Sequence, residues 1–171
     1  CLSNFLGIDH TTFADALQSF GGVKRRQEIM GEQRGILAID DFAHHPTAVR
    51  ETVHAVKEKY KGRRLIAVFE PRSNSSRRNV FQRAYAASFG NADLVMVPEP
   101  ILTEKIPPEQ RFSSAKLARD LNDQGIKAFC FPNSNRLLED LVARTRPGDV
   151  VLFMSNGAFD NLPKRFLTEL R

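Results

Sequence analysis

Three short stretches of this sequence concentrate groups able to do chemistry. Asp40-Asp41-Phe42-Ala43-His44-His45-Pro46 places two carboxylates and two imidazoles within six positions. Glu70-Pro71-Arg72-Ser73-Asn74-Ser75-Ser76-Arg77-Arg78 mixes guanidinium with hydroxyl and amide groups, and Ser155-Asn156-Gly157 is a compact polar set. Carboxylate and imidazole both ligate divalent metals, so Asp40, Asp41, His44 and His45 define one reading of the first stretch. The competing reading has Asp40 capping a turn and one histidine resting against a sheet edge. Pro46 then opens a helix, where its missing N–H costs nothing. That reading is preferred, and no metal site is assigned. In the second stretch Arg72 carries the planar fork that pairs with a carboxylate through two parallel hydrogen bonds. Ser75 or Ser76 is expected to cap the following helix, with Arg77 and Arg78 solvated on its surface.

Hydrophobic patterning gives the strands and helices that carry these groups. Strands are expected at 35–40, 65–70, 93–97, 126–131 and 150–154, each a short run rich in apolar and β-branched residues. Between them lie stretches with apolar residues at helical spacing: 46–60, 79–89, 113–122, 135–144 and 162–170. Such alternation predicts an α/β fold, a Rossmann-like and mostly parallel sheet with flanking helices. Ahead of it, 11–20 is expected to form a short helix broken by Gly21-Gly22. Lys24–Met30 should form a strand joined through a turn at Gly31–Gly35 to the first long strand, as an N-terminal hairpin. In an open parallel sheet, ligands bind outside the carboxyl ends of the strands. All three polar stretches leave such an end, so charges of both signs should converge on one rim, suited to a zwitterionic or polyanionic ligand.

The composition sets bounds. At 171 residues, with 42% hydrophobic and 26% charged, the chain fits one domain with its own core. No apolar run is long enough to span a bilayer. The net charge of +5 is met equally well by an anionic small substrate as by nucleic acid. Nucleic-acid binding is disfavoured, because the basic residues are scattered and no aromatic stacking platform interleaves them. Two cysteines cannot make a disulfide framework. Cys130, inside the apolar run 126–131, is expected as a buried free thiol, which fits a reducing cytoplasm. The chain begins at Cys1 rather than a methionine, so it is expected to be part of something longer.

The motifs resemble a known family. Gly22-Val23-Lys24-Arg25-Arg26, followed by Asp40-Asp41-Phe42-Ala43-His44-His45-Pro46-Thr47, is similar to the start of the C-terminal domain of Mur ligases. Members that act on UDP-N-acetylmuramate carry a similar Asp-Asp-aromatic-small-His-His-Pro stretch. Phe69-Glu70-Pro71-Arg72-Ser73-Asn74 and Phe153-Met154-Ser155-Asn156-Gly157 resemble the murein-peptide branch of the family. The alanine-adding branch tends to have Phe-Gln-Pro-His-Arg at the former position. The resemblance runs from Gly22 nearly to the end of the chain.

What the resemblance implies is a three-domain, ATP- and Mg2+-dependent ligase of cell-wall recycling, of which residues 22–171 are the third domain and 1–21 the remnant of the central one. The missing domains would hold UDP-N-acetylmuramate and the phosphates of ATP. The reaction implied is activation of a carboxylate to an acyl phosphate and attack by an amine, here that of L-alanyl-γ-D-glutamyl-meso-diaminopimelate. By position, Arg26 matches the arginine that reaches the nucleotide, Asp41 the acid that bonds its ribose, and Phe42 an aromatic packed near it. His44 and His45 fall near the incoming substrate. Arg72, Ser73, Asn74, Ser155 and Asn156 fall where peptide contacts are expected. Two departures stand out. Ser73 replaces the second cation of the alanine-adding pattern, and no Gly-x-x-x-x-Gly-Lys-[Ser/Thr] occurs in the chain, so no catalytic residue is assigned to it. An alanine ligase domain, a stand-alone module for a nucleotide or anionic metabolite, and a metal-dependent hydrolase are the competing readings.

Overall fold

The structure is a computed structural model that describes residues 5–171; the Cys1 end of the sequence lies outside the described residues. A first helix, α1 (His10–Ser19), is capped by Asp9, whose carboxylate accepts from Thr12 N at 2.9 Å. None of its residues is buried. Strands β1 (Glu28–Gln33) and β2 (Ile36–Asp41) follow as an antiparallel hairpin. The hairpin comes later in the chain than patterning predicts. Lys24–Gln27 is a loop rather than a strand, because Arg25 and Gln27 sit at positive φ, 55° and 49°, where no strand continues. The turn is Arg34-Gly35 alone, both at positive φ, as a two-residue mirror-image turn requires. Gly31 lies within β1, beside a bulge.

The remaining elements alternate. Helix α2 (Pro46–Lys59) leads to β3 (Leu65–Phe69), and a 3-10 turn at Asn79–Phe81 with the short α3 (Gln82–Ala86) leads to β4 (Leu94–Pro98). Then come α4 (Ser114–Asp123), β5 (Lys127–Phe131), α5 (Ser134–Arg144), β6 (Val150–Met154) and α6 (Leu162–Glu169). The single helix expected over 79–89 is thus split. Its first turn is drawn into contacts with the β4–α4 loop, where Asn79 donates to the Glu109 carbonyl at 2.7 Å and Gln82 to that of Ser113 at 3.0 Å.

The sheet order is β1-β2-β6-β3-β4-β5, with every pair but the first parallel. Three connections carry the chain outward from β2 to β5, and the fourth brings it back to insert β6 between β2 and β3. Because parallel crossovers keep one hand, this reversal moves later helices to the other face of the sheet. Period-two alternation serves both faces. Leu37, Ile39, Leu65, Ala67, Phe69, Leu152 and Met154 pack under α2, α3 and α4, against Val49, Val53, Tyr85, Leu117 and Leu121. Ala38, Ile66, Val68, Val151 and Phe153 pack under α5 and α6, against Leu137, Leu141, Leu162 and Phe166. Each fully buried aliphatic or aromatic side chain in these two layers contributes about 1.5–3 kcal/mol. Cys130 departs from expectation. It is exposed, because β5 is the sheet's outer strand with β4 as its one neighbour, so it gives no support to a reducing compartment.

Candidate active-site rim

The reversal at β6 defines where a site should lie. The exits of β2 and β3 turn toward one face and that of β6 toward the other, opening a crevice between their carboxyl ends, as at the switch point of other parallel sheets. All three polar stretches leave these strand ends. They form two linked groups.

The first group surrounds the end of β2. Asp41 is buried, and its carboxylate accepts from the backbone N–H of Ala43 at 2.7 Å and of Gln27 at 2.8 Å. It therefore caps the turn into α2 and pins the loop before β1, a role the sequence reading gave to Asp40. Asp40 instead pairs with Arg25 Nε at 3.1 Å. Burial raises the Asp40 carboxyl above its ordinary value, with the Arg25 charge pulling the other way. Arg25 also donates to the Ser155 carbonyl, so one guanidinium ties the loop to both β2 and β6. Phe42 meets two cations, with the guanidinium carbons of Arg25 and Arg26 each 5.2 Å from its ring centre. Arg26 is exposed, and with Asp41, Thr52 and Lys59 it lines a groove of about 650 Å³. His44 Nδ1 donates to the Phe42 carbonyl at 3.0 Å, which leaves Nε2 as the acceptor of the neutral ring. Tyr85 OH holds the His44 carbonyl. His45 is exposed and stacks edge-on against Phe81, their ring centres 4.8 Å apart. The four acidic and imidazole side chains thus point to different partners, and among the described residues no three such groups converge to hold a metal.

The second group joins β3 to β6. Glu70, 7% exposed, accepts from Ser155 Oγ and lies 3.4 Å from Arg72 Nη1. Ser155 Oγ in turn accepts from Gly157 N at 2.9 Å. Asn156 is half-buried and its Oδ1 has no hydrogen-bond partner among the described residues. Ser73 and Asn74 work within their own loop. Ser73 Oγ accepts from Ser76 N at 3.0 Å and Asn74 Oδ1 from Arg77 Nη2 at 2.7 Å. So Ser73 caps the turn at the end of β3, while Ser75 and Ser76 do not cap the helical turn at Asn79. Nor is Arg77 a solvated surface residue, since its guanidinium also holds the Leu102 carbonyl at 2.6 Å.

Of the expected site residues, Arg26, Asp41, Phe42 and His44 gather at β2, and Arg72, Ser155 and Asn156 at β3 and β6. Ser73, Asn74 and His45 lie beside them. Sequence reasoning named Glu70, Arg25 and Gly157 within its motifs but gave them no role of their own. Glu70 carried a usable signal, as a carboxylate ending an otherwise apolar strand. The other two become visible with the pairing of strands far apart in the chain.

Known proteins resemble this chain in sequence and fold. The family model for the Mur ligase, glutamate ligase domain matches residues 25–157. The UDP-N-acetylmuramate–L-alanyl-gamma-D-glutamyl-meso-2,6-diaminoheptandioate ligase of Haemophilus influenzae is 37% identical over 158 residues, covering 91% of this chain and 32% of its own. The UDP-N-acetylmuramate–L-alanine ligase of Desulforapulum autotrophicum is 34% identical over 163 residues, covering 95% and 35%. The crystal structure of the murein peptide ligase of Psychrobacter arcticus superposes with a TM-score of 0.74 at 32% identity, over 93% of this chain and 32% of that one.

Proposed function

Since this chain belongs to the Mur ligase family, we propose that it is the peptide-presenting domain of an ATP-dependent ligase joining L-alanyl-γ-D-glutamyl-meso-diaminopimelate to UDP-N-acetylmuramate. It spans about a third of the length of the relatives it matches, so the complete activity needs groups beyond these residues. The observation that carries the reading is Arg72. One of its N–H groups faces Glu70, and among the described residues no other bonds a partner. Its remaining donors are available to an anion entering the crevice.

ATP would supply the leaving phosphate that activates the carboxylate of UDP-N-acetylmuramate. This chain's own part is to close on that centre. Arg26 and the lone pairs that Asp41 keeps beyond its two backbone contacts would meet the nucleotide at the 650 Å³ groove, with Phe42 near Arg26. His44 Nε2 offers an acceptor to the incoming amine, and Arg72 a bidentate contact to a peptide carboxylate. Mg2+ would belong to the central domain, as the resemblance to Mur ligases implies. Residues 1–21 would belong to that domain too, and residues 22–171 would pack against it. No described helix is long and apolar enough to cross a membrane, and a ligase acting on UDP-N-acetylmuramate would work in the cytoplasm. An alanine-adding ligase is the second reading, supported by the 34% identity to such an enzyme.

The test is steady-state kinetics of the full-length protein with Arg72→Ala. Loss of one charge-assisted contact, about 1.5–3 kcal/mol, should weaken apparent tripeptide affinity roughly tenfold to a hundredfold and leave ATP use unchanged. Unchanged tripeptide KM and kcat would remove Arg72 from the site.

A further inference from the structure

Arg72 reaches Glu70 by an unusual route. Its side chain crosses directly over Gly157, at the tip of β6, before the guanidinium turns to the carboxylate. A Cβ built on Gly157 would lie 2.9 Å from Arg72 Cζ and closer still to Cδ and Nε. No side chain of any kind fits at position 157 while Arg72 keeps this path. The backbone does not otherwise demand glycine there, since Gly157 is absent from the positive-φ residues and the obstructing atoms belong to a flexible side chain. An alanine would therefore displace the arginine rather than the fold.

We propose that Gly157 is a positioning residue that sets specificity for the carboxylate-bearing end of the incoming peptide. Its bare Cα, just beyond the end of β6, leaves the space that the Arg72 side chain fills. Three groups then fix the guanidinium. Gly157 supplies the room. Glu70, 3.4 Å from Nη1, supplies the electrostatic anchor. Ser155 locks that anchor by donating its hydroxyl to Glu70 while accepting from Gly157 N at 2.9 Å. The same short segment thus clears the path and holds its end point. The outer edge of the guanidinium is left for a carboxylate, held at a fixed height above the crevice. A fixed height matters because bidentate pairing requires the planes of the fork and the carboxylate to coincide. Any side chain at 157 would lift Arg72 into solvent, where a carboxylate is met by a mobile, screened cation.

The proposal rests on the reading of Arg72 as the peptide-facing group, and a double-mutant cycle in the full-length protein separates the two. Gly157→Ala is expected to raise the tripeptide KM about tenfold, as for one weakened charge-assisted contact, with ATP KM and thermal midpoint near those of the parent. In an Arg72→Ala background the same substitution is expected to change nothing further, because the residue it displaces is gone. An unaltered tripeptide KM in Gly157→Ala overturns the proposal, as does an effect of equal size in both backgrounds. If Arg72→Ala itself leaves the tripeptide KM unchanged, the reading of the site falls and the proposal falls with it. Should Gly157→Ala fail to fold, the double variant is expected to fold, and a double variant that also fails overturns the proposal.

Discussion

Replacing Asp41 separates the scaffold of the rim from its chemistry. The carboxylate is 4% exposed and receives two backbone N–H groups, from Ala43 at 2.7 Å and Gln27 at 2.8 Å, while Thr52 Oγ1 at 3.5 Å is too far to count for much. A hydrogen bond to a charged acceptor contributes roughly 1.5–3 kcal/mol. Asp41→Asn keeps one acceptor oxygen, so one N–H remains bonded and the other faces an amide NH2. The expected loss is about 1.5–3 kcal/mol, or roughly 3–12 °C in midpoint for a chain of this size. Asp41→Ala removes both acceptors and should cost about 3–5 kcal/mol, near the upper end for a single substitution. Part of that loss arises at Gln27, which sits at φ 49° and loses the contact that holds it there. The assay is urea denaturation of the 171-residue chain, comparing midpoints at constant slope. Equal stability of Asp41→Asn and the parent would refute the capping role, and with it the account of how the loop before β1 is held against the rim.

Two further outcomes follow from the same geometry. Burial raises the Asp40 carboxyl above its ordinary 3.8 while Arg25 lowers it. An acid whose folded value is raised stabilises the fold below its unfolded value, and that contribution is lost as pH rises through the folded one. Arg25→Ala removes the pull and raises the folded value further, so its destabilisation should be larger at pH 7 than at pH 4 by denaturation, and equal effects at both would contradict the pairing. The isolated chain should fold yet hydrolyse no ATP, having no P-loop; calorimetry giving a Kd of about 1 μM or tighter would contradict that division of labour.

Much of this fold is legible in the sequence because its strands are strongly apolar and lie between helices of clear periodicity. All five parallel strands fall within two residues of their expected bounds. What is not legible comes from contacts between distant residues. The strand expected from Lys24 begins only at Glu28, because Glu28 and Asp41 draw the backbone N–H groups of Arg25 and Gln27 into a tight turn. Cys130 sits in an apolar run that is exposed because strand order, which local sequence does not encode, puts β5 at the edge. At the site the pattern repeats. Strand ends announce Asp41, His44, Arg72 and Ser155, since each follows an apolar run. The partnership of Glu70 with Ser155 depends on β6 inserting beside β3, 85 residues away in the chain. The crossing of Arg72 over Gly157 depends on the same insertion.

On the proposed reading this rim presents a peptide rather than a free amino acid. The most direct measurement is ADP release by the full-length protein supplied with ATP, Mg2+ and UDP-N-acetylmuramate, with either L-alanyl-γ-D-glutamyl-meso-diaminopimelate or L-alanine as the amine. Turnover is expected with the tripeptide and none above background with L-alanine. Turnover with L-alanine alone would contradict that reading and assign the chain to the alanine-adding branch.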